Sequence, residues 1–179
     1  MRATLILLVL SVMSCKSQWY GTSNVYAFNG SESVVRLQLE GTDKLDVTLR
    51  PSSGELLHNV TAGPYTITTK HEGGGANKTL RTELRKGDLT ILNVDGIGCF
   101  TRADYAGKYS PDRHFPVQVV TEYSKDETFR IDTPIEVLPG ELLPNARPKS
   151  NYGFYRVIEV PCELIGDRPK LTEHLKGLR

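Results

Sequence analysis

Two stretches alternate apolar and polar residues so regularly that little but a half-buried strand can satisfy them. In Ser33–Glu40, SVVRLQLE, one parity carries Val35, Leu37 and Leu39, and the other carries Arg36, Gln38 and Glu40. Lys44–Arg50, KLDVTLR, repeats the pattern with Leu45, Val47 and Leu49. A period of two sends successive side chains to opposite faces of a strand. A strand with one dry and one wet face belongs in an antiparallel sheet packed on a core. Pro51-Ser52-Ser53-Gly54 stops the second run as a turn cluster. Gly63–Thr69, Thr79–Leu84, Gly87–Val94 and Pro116–Tyr123 read as further short strands, and Gly73–Asn77 as a loop between two of them. Gln18–Asn29, with Trp19, Tyr20, Tyr26 and Phe28, reads as the first strand. Val, Thr and Tyr are frequent, and neither a sustained helical period nor an internal repeat is present. The expected fold class is all-β, an antiparallel β-sandwich.

The chain has 179 residues and a formal net charge of +1, so charge gives no footprint for nucleic acid or an acidic membrane surface. Met1–Ser17 reads as a secretory signal peptide, with Arg2 at its start, an apolar centre over Ala3–Leu10, and small residues at Ser14, Cys15 and Ser17. That apolar run is too short to cross a bilayer, and the predicted localisation is secreted and extracellular. Cys15 after Ser14 also permits a bacterial lipoprotein box, a minor alternative that Met13 fits poorly. Export permits a disulfide. Cys99 and Cys162 are the candidates outside the signal peptide, although spacing alone does not show that they meet.

Asp104-Tyr105-Ala106-Gly107-Lys108-Tyr109 has the form Asp-x-Ala-Gly-x-Tyr, the corner signature of immunoglobulin-like sandwiches. Asp104, Gly107 and Tyr109 are therefore the expected structural corner, with Tyr109 turned inward and its hydroxyl bonded to corner backbone. Tyr155–Gly177, which contains Val160-Pro161-Cys162-Glu163 and Lys170-Leu171-Thr172, resembles strands B and C of the second immunoglobulin domain in the receptor tyrosine kinases for platelet-derived and vascular endothelial growth factors. Leu89–Val94 and Asp104–Tyr109 resemble strands E and F of the first domain in that family. After the signal peptide over 1–17, the resemblance implies an immunoglobulin-like domain over 18–123 and a partial second immunoglobulin-like domain over 129–179, with the polar stretch over 124–128 as the linker between them. Lys170–Leu175 is expected to begin a strand of that second domain. The pattern departs from the family in lacking the usual bridge between strands B and F of the first domain, with Leu39 and Pro111 near the two positions. Cys162 stands at the family's B-strand position, and its usual partner would lie beyond Arg179. It is then either unpaired or bridged to Cys99, and the chain is expected to be a truncated isoform, a fragment or an incomplete gene model.

No cofactor is implied and no enzymatic activity is expected. Gly73–Thr79 lacks the Gly before Lys-Thr that a phosphate loop needs, because Asn77 stands there. His58, His71, His114 and His174 are dispersed without ligand spacing, so no metal is expected, and no Gly-x-Ser-x-Gly elbow occurs. Asn29-Gly-Ser, Asn59-Val-Thr and Asn77-Lys-Thr are sequons, which makes Asn29, Asn59 and Asn77 the expected glycosylation sites. The expected function is non-enzymatic binding of a protein ligand, such as a dimeric growth factor of the platelet-derived or vascular endothelial type, with a soluble decoy as its concrete form. Adhesion or immune modulation by another immunoglobulin-like protein, and a bacterial surface lipoprotein, are the competing readings.

Overall fold

The computed structural model describes residues 21–74, 77–109, 117–124, 127–132, 137–145 and 154–178. The expected signal peptide, Trp19 and Tyr20 lie outside them. The strands are β1 (Thr22–Asn29), β2 (Val35–Glu40), β3 (Lys44–Leu49), β4 (Ser53–Thr61), β5 (Gly63–His71), β6 (Lys78–Leu84), β7 (Leu89–Val94), β8 (Cys99–Asp104), β9 (Gln118–Ser124), β10 (Thr128–Ile131) and β11 (Tyr155–Val160), followed by helix α1 (Arg168–Gly177). They build an outer sheet, β3-β2-β5-β6, a central sheet, β10-β7-β1-β4, and a third sheet, β11-β8-β9. The all-β sandwich expected from the alternation is present.

The outer sheet is antiparallel throughout, with Leu37 paired to Val47 on one side and to Thr69 on the other. Its dry face carries Val35, Leu37, Leu39, Val47, Leu49 and Ile67 onto Val25, Ala27, Leu92 and Val94 of the central sheet. The central sheet is dry on its other face as well. There Tyr26, Phe28, Leu89 and Ile91 meet Phe100 and Val157 of the third sheet. Every residue of β7 is buried, and β1 and β7 run parallel, an arrangement found where both faces of a sheet are covered. Phe100 stands at the centre of this second layer. Its ring makes edge-on contacts with Tyr26 and Phe28 at centroid distances of 6.3 and 5.5 Å and a tilted contact with Phe129 at 5.6 Å. Tyr26 is desolvated enough that its hydroxyl pKa is pushed up to about 12.

The far face of the third sheet is covered by α1, through Leu171 and Leu175. Lys170–Leu175 is therefore helix, which corrects the expected strand. Leu171 and Leu175 are spaced i, i+4, Asp167 caps the first turn by accepting from the Lys170 N–H at 3.2 Å, and Pro169 stands in that first turn. Cys99 and Cys162 do pair, and the bridge ties β8 to the turn that leads into α1. With a separation of 63 residues, the chain-entropy estimate of its contribution is about 4 kcal/mol.

Strand pairing crosses the expected partition at 124–128. β10 pairs with β7, Phe129 opposite Ile91, and β11 pairs with β8, Ile158 opposite Thr101. The 129–179 segment thus completes two sheets of the same stack instead of beginning a separate sandwich, because its apolar parities cover faces that the earlier strands leave open. β4 was not expected at all. It is an edge strand of the central sheet without clean alternation, and its pairing with β1 shifts register between Ser23 and Val25.

The tyrosine corner also moves. Tyr109 donates to the Pro144 carbonyl at 2.7 Å, and Gly107 lies in a 3-10 turn over Ala106–Tyr109. Asp104 accepts instead from the backbone N–H groups of Ala106 at 2.8 Å and Phe154 at 3.1 Å. That hexapeptide anchors the loop before β11, and its tyrosine does not close back on its own backbone. Tyr65 does so. Its hydroxyl donates to the carbonyl of Thr61, four residues upstream, at 2.9 Å, and accepts from the Asp43 N–H at 3.0 Å. Asp43 in turn accepts from the Thr61 N–H at 2.8 Å, which holds its carboxyl below the usual carboxylate range.

Two outcomes follow from this packing. Phe100→Ala removes the ring that three aromatic neighbours share and is expected to cost about 3–5 kcal/mol, read from the urea unfolding midpoint. A depressed folded pKa at Asp43 gives stability that is present above the unfolded value near 3.9 and is lost as pH falls through the folded value. Asp43→Asn is therefore expected to flatten the acid limb of the stability–pH curve, with its largest effect at neutral pH, as measured by unfolding across that range.

Candidate functional site at the mouth of the sandwich

The outer and central sheets part at one end, where strand termini bring polar side chains together. His71 is the last residue of β5 and pairs with Val35, the first of β2, so the loop entering β2 lies beside it. That loop carries Ser33, whose Oγ is 3.0 Å from His71 Nδ1. On the other ring nitrogen, His71 Nε2 is 3.0 Å from Asp95 Oδ2, just past the end of β7. Lys78, the first residue of β6, places Nζ 2.7 Å from Asp95 Oδ1 and 3.1 Å from Glu127 Oε1, ahead of β10. A line of contacts thus runs from the outer sheet through His71 and Lys78 to the central sheet.

Local backbone chemistry aims these groups. Asp95 and Gly96 both hold left-handed φ, +59° and +63°. Asp and Gly tolerate that region better than other residues do, and the turn carries the chain from the central sheet to the third sheet. Asn93, buried beside it, fixes the turn by donating to the Gly98 carbonyl at 2.8 Å and accepting from the Gly98 N–H at 2.9 Å. Ser33 is held from below by Asn29. The Asn29 Nδ2 donates to the carbonyls of Ser33 at 2.8 Å and Arg50 at 3.0 Å, while Oδ1 accepts from the Ser31 N–H at 3.0 Å and hydroxyl at 2.7 Å.

Hydrogen bonding assigns the tautomer of the neutral ring. A carboxylate only accepts, so in the neutral imidazole Asp95 places the proton on His71 Nε2 and Nδ1 accepts from the Ser33 hydroxyl. The side chains of His71 and Asp95 are 16% and 21% exposed, enough to be shielded without being sealed. The carboxylates of Asp95 and Glu127 hold the Lys78 ammonium above the usual lysine range. Two concavities meet here. One, about 340 Å³, is a groove between the sheets floored by Leu37, Ile67, Leu80, Leu92 and Val94, with Glu127 and Thr128 at its rim. The other, about 390 Å³, is an open mouth lined by Ser33, His71, Glu72, Gly73, Gly74, Lys78 and Asp95. Lys78 and Asp95 border both. Among the described residues no cluster of His, Cys, Asp and Glu has the geometry to hold a metal.

The expected sites fall unevenly on this picture. Asn29 is fully buried with its amide committed to backbone carbonyls, so the atom that would carry the sugar is inside the fold. Asn59 and Asn77 are exposed, Asn59 at φ +56° in the β4 irregularity and Asn77 ahead of β6, beside the mouth. Asp104, Gly107 and Tyr109 lie by the third sheet and form no part of the site, and Cys99 and Cys162 serve as a staple. Sequence reasoning missed Ser33, His71 and Asp95. They lie 38 and 24 residues apart, arithmetic that carries no motif, and only the register of β2 against β5 brings the first two together. No protein-family model matches the chain, and no curated protein or solved structure is significantly similar to it.

When the chain is expressed through a eukaryotic secretory pathway, glycopeptide mapping is expected to find any sugar at Asn59 and Asn77 and none on Asn29 of the folded product. Asn29→Ala is expected to cost about 2–4 kcal/mol, because buried carbonyls lose their donor, and to leave the glycan mass unchanged.

Proposed function

We propose that this chain is a secreted, immunoglobulin-type recognition protein that binds a protein ligand through the groove between its outer and central sheets. The groove carries the reading. Its volume of about 340 Å³ lies at the lower end of the usual range of ligand pockets, its floor is apolar, and a few charged groups converge at its rim. A projecting apolar side chain of a partner can seat on Leu80 and Ile67 while its backbone or polar neighbours meet Lys78, Asp95 and Glu127. The signal-peptide pattern, the disulfide and the exposed sequons at Asn59 and Asn77 agree with an extracellular setting.

The concrete form proposed for the partner is a dimeric growth factor of the platelet-derived or vascular endothelial type, with this chain acting as a soluble competitor of membrane receptors. The resemblance of Leu89–Val94 to the first domain of those receptor ectodomains supports it. Non-enzymatic adhesion or immune modulation is the competing form, with a cell-surface receptor as partner.

The test immobilises the secreted protein and measures binding of purified growth-factor dimers of both types. Leu80→Arg places a charge on the groove floor and is expected to weaken binding at least about tenfold, whereas Leu142→Arg, at an exposed position outside the groove, leaves it unchanged. Binding that is indifferent to Leu80→Arg would remove the groove from the reading. Binding only to receptor-bearing cells would favour the adhesion form.

A further inference from the structure

The mouth holds more than a recognition rim needs: a hydroxyl, an imidazole and a carboxylate in hydrogen-bonded series. We propose that Ser33, His71 and Asp95 form a hydrolytic triad that cleaves neutral esters of short apolar acids, with the acyl chain lying in the groove between the sheets. The proposal stands independently of the protein-ligand reading, since it concerns the chemistry of the mouth.

The geometry meets the requirements of nucleophilic catalysis one by one. Ser33 Oγ is within hydrogen-bond reach of a base nitrogen, at 3.0 Å, and the second nitrogen of that ring is held by a carboxylate, also at 3.0 Å. The tautomer forced by Asp95 leaves the Nδ1 lone pair directed at the Ser33 proton. The ring nitrogens are used in the order opposite to that of the serine proteases. The chemistry requires only one N–H toward the carboxylate and one lone pair toward the hydroxyl. His71 and Asp95 are largely shielded from bulk water, which strengthens both contacts, while Ser33 and His71 line an open concavity that a substrate can enter. Asn29 below Ser33 and the left-handed turn at Asp95 hold the outer members in place, the preorganisation a site of this kind depends on.

Substrate class follows from the surroundings. The groove continues from the mouth across Lys78 and Asp95, so an acyl chain placed on Leu37, Ile67 and Leu80 leaves its carbonyl at the mouth. The carboxylates of Glu72, Asp95 and Glu127 around Lys78 disfavour an anionic substrate there. The groove's modest volume limits the chain to a short one.

The step balances within the named groups and water. Ser33 Oγ bonds to the ester carbonyl carbon as its proton passes to His71 Nδ1, and the carbonyl oxygen takes up the negative charge. The carbon–alkoxy bond then breaks, and Nδ1 returns the proton to the leaving alcohol. Water attacks the acyl-Ser33, gives its proton to Nδ1, and the carboxylic acid leaves as Ser33 recovers its hydrogen. Ser33 and His71 are the catalytic residues. Asp95 is a positioning residue that acts through the imidazole.

The full secreted chain is treated with a fluorophosphonate probe, the adduct is located by peptide mass mapping, and turnover of p-nitrophenyl acetate and butyrate is measured in parallel. The expected result is a single adduct on Ser33 that disappears when the protein is unfolded in urea, and ester turnover that Ser33→Ala abolishes. His71→Gln is expected to slow adduct formation and turnover at least about 100-fold, the scale of a lost general base. Asp95→Asn keeps a residue suited to left-handed φ and is expected to lower turnover with the melting temperature held, and Asp95→Glu to restore part of it. Leu80→Trp, which fills the groove, is expected to slow the butyrate more than the acetate. No adduct on Ser33 of the native chain, an adduct that persists equally in urea, or labelling untouched by His71→Gln would each overturn the proposal.

Discussion

The central sheet is dry on both faces, and the rest of the molecule is arranged to keep it so. β1 and β7 lie side by side, β1 sending Val25 and Ala27 to the outer sheet and Tyr26 and Phe28 to the third, and β7 dividing Leu92 and Val94 from Leu89 and Ile91 in the same way. A sheet buried on both sides needs two covers, which is why the fold is a stack of three sheets where a simple sandwich has two. Burial of a large apolar side chain stabilises by about 1.5–3 kcal/mol, so the aromatic layer around Phe100 is worth as much to the stack as any ladder of hydrogen bonds. The third sheet in turn exposes its own far face, and α1 closes it with Leu171 and Leu175.

That last cover is the smallest, a helix of ten residues, and helices so short depend on tertiary support. Its support is covalent as well as apolar. The bridge from Cys99 to Cys162 fixes the chain just ahead of α1 onto the first residue of β8. Tyr105, buried among the same residues with its hydroxyl 3.4 Å from the Leu175 carbonyl and its pKa pushed up to about 12 by desolvation, ties the helix's far end to the sheet.

The polar mouth exists because two sheets end together there. Strand termini cannot continue the dry interior, so serine, histidine, lysine and carboxylates collect where β2 and β6 begin and β5 and β7 end. Surface ion pairs contribute little each, typically about 0–1 kcal/mol. The shielded His71–Asp95 contact and the Asn29 amide beneath Ser33 hold the geometry instead, together with the left-handed Asp95-Gly96 turn.

Strands whose two faces differ are legible along the chain. Val35, Leu37 and Leu39 against Arg36, Gln38 and Glu40 left no other element open, and the all-β class followed from such runs. The sequence also offered Cys99 and Cys162 as a bridge without showing that they meet. Where both faces are buried, as in β7, or neither is strongly so, as in the edge strand β4, alternation fades and local pattern says less. Lys170–Leu175 misled for a related reason: its leucines fit a short strand until the cap at Asp167 and the i, i+4 spacing against the third sheet are considered. That Tyr65, and not Tyr109, closes a corner, that Asn29 faces inward, and that Ser33, His71 and Asp95 converge emerges from the packing of the sheets. Each of these depends on which strand lies beside which. Register and sheet order are set by long-range burial, which no window along the chain contains.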